Sequence, residues 1–181
     1  MSNQTTLNKY FIKKTNENKV NKFVINNDLI PTLERKHYNI SENSWLEIIR
    51  IPKEVLNIDY DKYWNMHPKE FGEVMMCGNL VKTPRWQQSY GKPYYFTGIN
   101  HDALEMTDDI KELLDFINNL GYEEYNQVLI NWYEDGNHYI GSHSDDESQL
   151  VNGSSIMTLS LGETRVFRIR NKFKNNIIFY M

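Results

Sequence analysis

A chain of 181 residues that is 40% hydrophobic and 24% charged can bury a sizeable core and stay hydrated, which excludes a fibre and a disordered tail. The net charge of -4 argues against coating nucleic acid by bulk positive charge and leaves only local basic patches for that purpose. The single cysteine, Cys77, excludes an internal disulfide and any multi-cysteine metal site, and fits a reducing compartment.

Residues 1–40, rich in Asn and Lys, show no sustained period and read as a weakly ordered N-terminal arm. Residues 1–20 lack an apolar core of the signal-peptide kind, and the longest apolar run, 177–181, is too short to span a bilayer. An intracellular, non-secreted protein without membrane contact is expected, in cytoplasm or nucleus. Trp45, Ile48 and Ile49 fall at helical spacing within 41–51, and Pro52 lacks the amide proton a helix would need there, so a short helix is predicted. Thr107 can cap the next helix, with Asp108 and Asp109 in its first turn, an apolar stripe of Ile110, Leu113, Leu114 and Ile117, and Gly121 as the stop.

Beyond Gly121 the period changes to two. Residues 127–133 read as a strand, and so do 156–161; Gly162 and Glu163 suit a hairpin turn into 164–170, and Asn175 and Asn176 a second turn into 177–181. The expected class is α+β with a mainly antiparallel β core, as one domain over residues 41–181 following the arm.

Two basic clusters stand out: Lys82, Arg85 and Lys92, and Arg165, Arg168, Arg170, Lys172 and Lys174. Each suits a phosphate contact or, equally, a solvated strand face. The most informative stretch is 131–147, NWYEDGNHYIGSHSDDE. In extended backbone, residues two apart share a side, so the imidazole of His143 and the carboxylate of Asp145 can converge on one metal ion. Asn131 and Tyr133 share a strand face in the same way and can each donate to a carboxylate; the alternative is a strand residue whose polar tip is satisfied internally.

The 131–147 stretch, followed by SLGETRVF at 160–167 and preceded by GNLVKTPRWQQSYGKPYYFTG at 78–98, resembles the AlkB family, iron- and 2-oxoglutarate-dependent dioxygenases that dealkylate nucleic acids. The resemblance covers about residues 48–172 and is closest to the branch that repairs duplex DNA. It implies a double-stranded β-helix with flanking helices, Fe(II) held by His143 and Asp145, and 2-oxoglutarate held by Asn131 and Tyr133. It also implies oxidative demethylation of alkylated DNA bases, releasing formaldehyde and succinate.

Phe96 matches the aromatic that stacks on the flipped base, opposite His143, although a core aromatic is the competing reading. Thr97, Arg85 and Glu147 match polar positions of the base pocket. Met76 and Cys77 stand where that branch carries its intercalating finger, and Arg170 matches a backbone-gripping position that Lys172 and Lys174 extend. Downstream of Asp145 no histidine or spare arginine matches the family's second iron ligand or its 2-oxoglutarate clamp, so the barrel is expected to be truncated at the C-terminal side. His138, water or a second chain could then supply the third ligand. The competing expectations are an inactive nucleic-acid-binding module and a hydroxylase of another substrate.

Overall fold

The computed structural model describes residues 24–170, apart from 97, 146 and 148, together with residues 176–180. Short strands dominate it, in keeping with an expected mainly β core and few helices. They are β1 (Val24–Ile25), β2 (Arg35–Ser41), β3 (Ser44–Ile49), β4 (Leu56–Asn57), β5 (Glu73–Met76), β6 (Asn79–Lys82), β7 (Trp86–Tyr90), β8 (Tyr94–Phe96), β9 (Ile99–His101), β10 (Ala103–Leu104), β11 (Val128–Trp132), β12 (Val166–Arg170) and β13 (Asn176–Tyr180). The α-helices are α1 (Tyr60–Trp64) and α2 (Asp108–Asn118). Among the described residues, β10, β7 and β11 form a three-stranded sheet and the remaining strands pair two by two. No helix among them is long and apolar enough to cross a membrane.

Helix α2 follows from its sequence. Thr107 sits at the N-cap with its hydroxyl accepting from the Ile110 amide at 3.4 Å, and Gly121, at φ +85°, takes the left-handed conformation beyond the C-terminus. Its apolar face is the centre of the molecule. Phe116, Ile117 and Leu120 meet Ile30, Leu33, Val55 and Leu56 in one cluster, while Ile110 packs with Tyr63 and Tyr90 in a second. Burial of this kind is worth roughly 1.5–3 kcal/mol per large side chain. The Asn118 amide then ties down the approach to β11, accepting from the Tyr125 amide at 2.8 Å and donating to its carbonyl at 3.1 Å.

Three local expectations change. Within residues 24–40, β1, a 3-10 helix (Asn27–Thr32) and β2 are formed, and Ile30 and Leu33 are core residues; elements this short leave no sustained period to detect. Residues 41–51 contain β3 in place of a helix. Its pairing with β2 sets Glu47 opposite His37 and Ile49 opposite Arg35, Glu47 lies 3.5 Å from the Arg35 guanidinium, and Trp45 stacks between His37 and Tyr122 at 5.6 and 6.1 Å. Cross-strand partners outweighed the helical spacing of three side chains.

Residues 156–161 form no strand, and the hairpin expected at Gly162 is absent. Met157 and Leu159 do pack against the core while Ile156 faces outward, so the side chains alternate over 156–160 without a hydrogen-bonded partner strand, and the exposed Leu161 breaks the alternation. Gly162 instead abuts a ring: a Cβ there would lie 3.0 Å from Tyr60, at φ +90°. Strands β12 and β13 pair antiparallel as expected, Val166 opposite Tyr180 and Arg170 opposite Asn176.

Candidate active site

The floor of the site is the pairing of β7 with β11, which sets Gln87 opposite Asn131 and Trp86 opposite Trp132. Alternation then sends Arg85, Gln87, Asn131 and Tyr133 to one face, and Trp132 to the other, where it is buried and donates its indole N–H to the Tyr63 carbonyl at 2.8 Å. Arg85 is only 5% exposed. Its Nε donates to Asn131 Oδ1 at 2.9 Å and its Nη2 to Gln87 Oε1 at 3.0 Å, both neutral acceptors. Burial therefore pulls the Arg85 guanidinium below the ordinary arginine value, and that cost is offset by the hydrogen bonds.

One wall is the hairpin of β8 and β9. Its register pairs Tyr94 with His101 and Phe96 with Ile99, so these four side chains stand on one face. Tyr94 stacks on Phe96 at 5.8 Å, and its hydroxyl donates to Glu147 Oε1 at 3.4 Å. Burial, then the Glu147 and Asp145 carboxylates, push the Tyr94 hydroxyl far up, so it stays protonated as a donor.

The opposite side is an irregular segment. Asp135 makes an Asx turn, its carboxylate accepting from the Asn137 amide at 2.7 Å, and Arg165 clamps the loop from outside. The Arg165 Nη1 donates to the Asp135 carbonyl at 3.0 Å, its Nη2 to the His138 carbonyl, and its guanidinium lies over the Tyr133 ring at 4.6 Å. Tyr133 is raised by burial, with Arg85 and Arg165 pulling the other way.

His143 and Asp145 follow on the same irregular segment. His143 Nδ1 lies 2.7 Å from the Gly141 carbonyl, and its Nε2 faces Asp145 Oδ1 at 3.2 Å. The shared hydrogen bond raises His143 and lowers Asp145. The Phe96 ring meets His143 edge-on, at 5.8 Å and 75°.

The residues singled out from sequence are thus largely gathered. Arg85 with Asn131, Phe96 with His143, and His143 with Asp145 are in direct contact; Glu147 reaches the group through Tyr94, and Tyr133 lies against Arg165. Thr97 falls outside the described residues, as do Asp146, Lys172 and Lys174. Met76 is 57% exposed and, with Cys77, ends the β5–β6 hairpin, where Cys77 (φ +50°) and Gly78 (φ +79°) form a primed turn. Arg170 is exposed at the end of β12 and touches none of the other site residues in the described structure.

His138 does not turn to the metal pair: its Nδ1 accepts from the Glu134 amide at 3.1 Å and its ring packs against Phe71 and Trp86. Among the described residues, no group of three His, Cys, Asp or Glu side chains is arranged to hold a metal ion. The residues that sequence reasoning missed are Gln87, Tyr94, His101 and the clamping role of Arg165. The alternation of Arg85, Gln87 and Ser89 carried the signal for Gln87, whereas the others depend on pairings between distant segments.

Residues 42–180 match the family described as the 2OG-Fe(II) oxygenase superfamily. The chain is 34% identical over 102 residues to the DNA oxidative demethylase ALKBH2 of Homo sapiens, an alignment covering 55% of this chain and 39% of that protein. Against the protein of the same name from Bos taurus it is 32% identical over 142 residues, covering 68% of this chain and 51% of the relative. The Mus musculus protein gives 33% over 103 residues, 55% of this chain and 43% of the relative. The chain spans about half the length, or less, of these curated relatives. With the family's matched span running through β3, the β7–β11 floor, the His143–Asp145 pair and β13, this chain belongs to the 2OG-Fe(II) oxygenase superfamily and, within it, is similar to the DNA oxidative demethylases just named.

Proposed function

We propose that this chain, with Fe(II) and 2-oxoglutarate bound, oxidatively removes alkyl groups from bases in DNA, releasing formaldehyde and succinate. The observation that carries the reading is the 3.2 Å between His143 Nε2 and Asp145 Oδ1, with Phe96 beside the histidine. Neighbouring ligand atoms on an octahedral ion with bonds of about 2.1 Å stand about 3 Å apart, so the two donors fit one edge of such a site. The His143 Nδ1 contact to Gly141 leaves Nε2 as the metal-facing nitrogen, the usual arrangement for a ligating imidazole. When bound, Fe(II) would couple the oxidation of 2-oxoglutarate by dioxygen, to succinate and carbon dioxide, to hydroxylation of the N-methyl carbon, and the hydroxymethyl adduct would then release formaldehyde and leave the free base.

The remaining residues bind and orient. Arg85 holds Asn131 Oδ1, which leaves the amide N–H groups of Asn131 for a carboxylate of 2-oxoglutarate, and Arg165 braces the ring of Tyr133 for a second bond from its hydroxyl. Phe96 stacks on a base turned out of the helix, and Glu147, with one oxygen taken by Tyr94, keeps Oε2 to accept from an exocyclic amine. The exposed tip at Met76 and Cys77 fills the gap that the base leaves, and Arg170 holds the phosphate backbone. The strands form part of a double-stranded β-helix, and an intracellular, nuclear setting follows from the substrate.

The test is mass spectrometry of a duplex oligonucleotide carrying 1-methyladenine, incubated with the protein, Fe(II), ascorbate and 2-oxoglutarate. Loss of the methyl mass with the wild type and not with His143→Ala is expected. Retention of the methyl group by folded wild-type protein would overturn the reading and leave a nucleic-acid-binding module.

A further inference from the structure

Three buried polar atoms of the site have no hydrogen-bond partner: Gln87 Nε2, beside Arg85, and Glu147 Oε2 and His101 Nε2, beside Tyr94. A buried group left in that condition is destabilising, so three within one site mark a place where a ligand belongs. Glu147 and the Arg85–Gln87 pair are already part of the proposed base pocket. His101 is not accounted for by iron, 2-oxoglutarate or the stacking ring.

Its position is fixed by the β8–β9 register. Tyr94 and His101 are cross-strand partners, Phe96 and Ile99 the next pair, and all four project from one face. The His101 ring lies 6.3 Å from the Tyr94 ring at 30°, on the same surface that brings Phe96 to His143. A base resting on Phe96 and reaching toward Tyr94 and Glu147 therefore also extends along the face that carries His101. Burial, reinforced by Arg85, lowers the His101 imidazole below the ordinary histidine value. An uncharged ring offers one N–H and one lone pair, which together can meet either an amine or a carbonyl on a base edge.

We propose that His101 is a specificity-determining residue that hydrogen-bonds the edge of the flipped base through its buried ring nitrogen. The inference rests on the base-pocket reading above and adds to it a contact from β9. It makes the choice among alkylated bases depend on a residue outside the metal pair and the stacking ring.

Binding resolves the matter without turnover. Fluorescence anisotropy would compare oligonucleotides carrying 1-methyladenine, 3-methylcytosine or 3-methylthymine with the unmodified strand, for the wild type, His101→Leu and His101→Gln. The expected result is a preference of the wild type for methylated strands that drops about fivefold to tenfold in His101→Leu, by different factors for the three bases, with partial recovery in His101→Gln. In the wild type, the imidazole 15N resonances of His101 would move on adding the 1-methyladenine strand and stay in place with the unmodified one. An equal loss for every strand, unmodified included, would assign His101 to packing alone and overturn the proposal, as would unmoved resonances. A wild type with no preference for methylated strands would overturn the base-pocket reading and this proposal together, whereas an intact preference in His101→Leu would overturn only this one.

Discussion

The two halves of the site are built by different means. Gln87 and Asn131 stand on paired strands with Arg85 just before β7, their side chains bonded through the guanidinium and Trp132 buried beneath them. His143 and Asp145 lie instead on an irregular segment flanked by exposed apolar residues, Val151 at 77% and Ile156 at 56%. One half is positioned by the fold; the other is positioned by its own short contacts, His143 to Gly141 and His143 to Asp145. Substitutions in the first half should therefore cost stability, and those in the second should cost chemistry while leaving stability alone.

The sharpest contrast is His143→Ala. Turnover of 1-methyladenine should fall to background, at least a hundredfold, while urea-induced unfolding moves by no more than about 0.5 kcal/mol, as for a partly exposed loop residue. A large stability loss here would break the comparison. Trp132→Ala should do the reverse, costing about 3–5 kcal/mol in the same urea experiment through lost packing and the lost bond to Tyr63.

Arg85→Ala tests the floor from its polar side. It leaves Asn131 Oδ1 and Gln87 Oε1 without their donor, and about 1–3 kcal/mol of stability should go with it. Calorimetry should also show weaker 2-oxoglutarate binding, because the Asn131 amide is then free to turn. The smallest effect is expected for Arg165→Ala. About 0.5–1 kcal/mol of stability should be lost, with limited proteolysis reporting faster cleavage near residues 135–140 as the clamp on the Asp135 and His138 carbonyls goes.

The same division governs how much could be foreseen from the sequence. Helix α2 was legible because its cap, stripe and stop are local, and β11 and the antiparallel β12 and β13 were legible because alternation is local too, whereas the turn expected at Asn175 lies outside the described residues and Asn176 belongs to β13. β3 was misread because Trp45, Ile48 and Ile49 satisfy helical spacing, and only the presence of β2 decides between the two periods. Residues 156–160 kept the alternation of a strand but no partner, a fact that no single segment can encode. In the site, the His143 and Asp145 pair followed from two-residue spacing alone. By contrast, the bond from Arg85 to Asn131 joins residues from different strands through the β7–β11 register, and the clamp of Arg165 on the loop joins segments far apart in the chain.

Gly98 lies where the two hairpins meet. A Cβ there would stand 3.2 Å from that of Met75, and its φ of +81° disfavours any side chain, so β9 rests directly on β5. The exposed tip at Met76 and the wall bearing Phe96 and Tyr94 are thus joined through one close approach, and a substitution at Gly98 would push the two hairpins apart without touching either end.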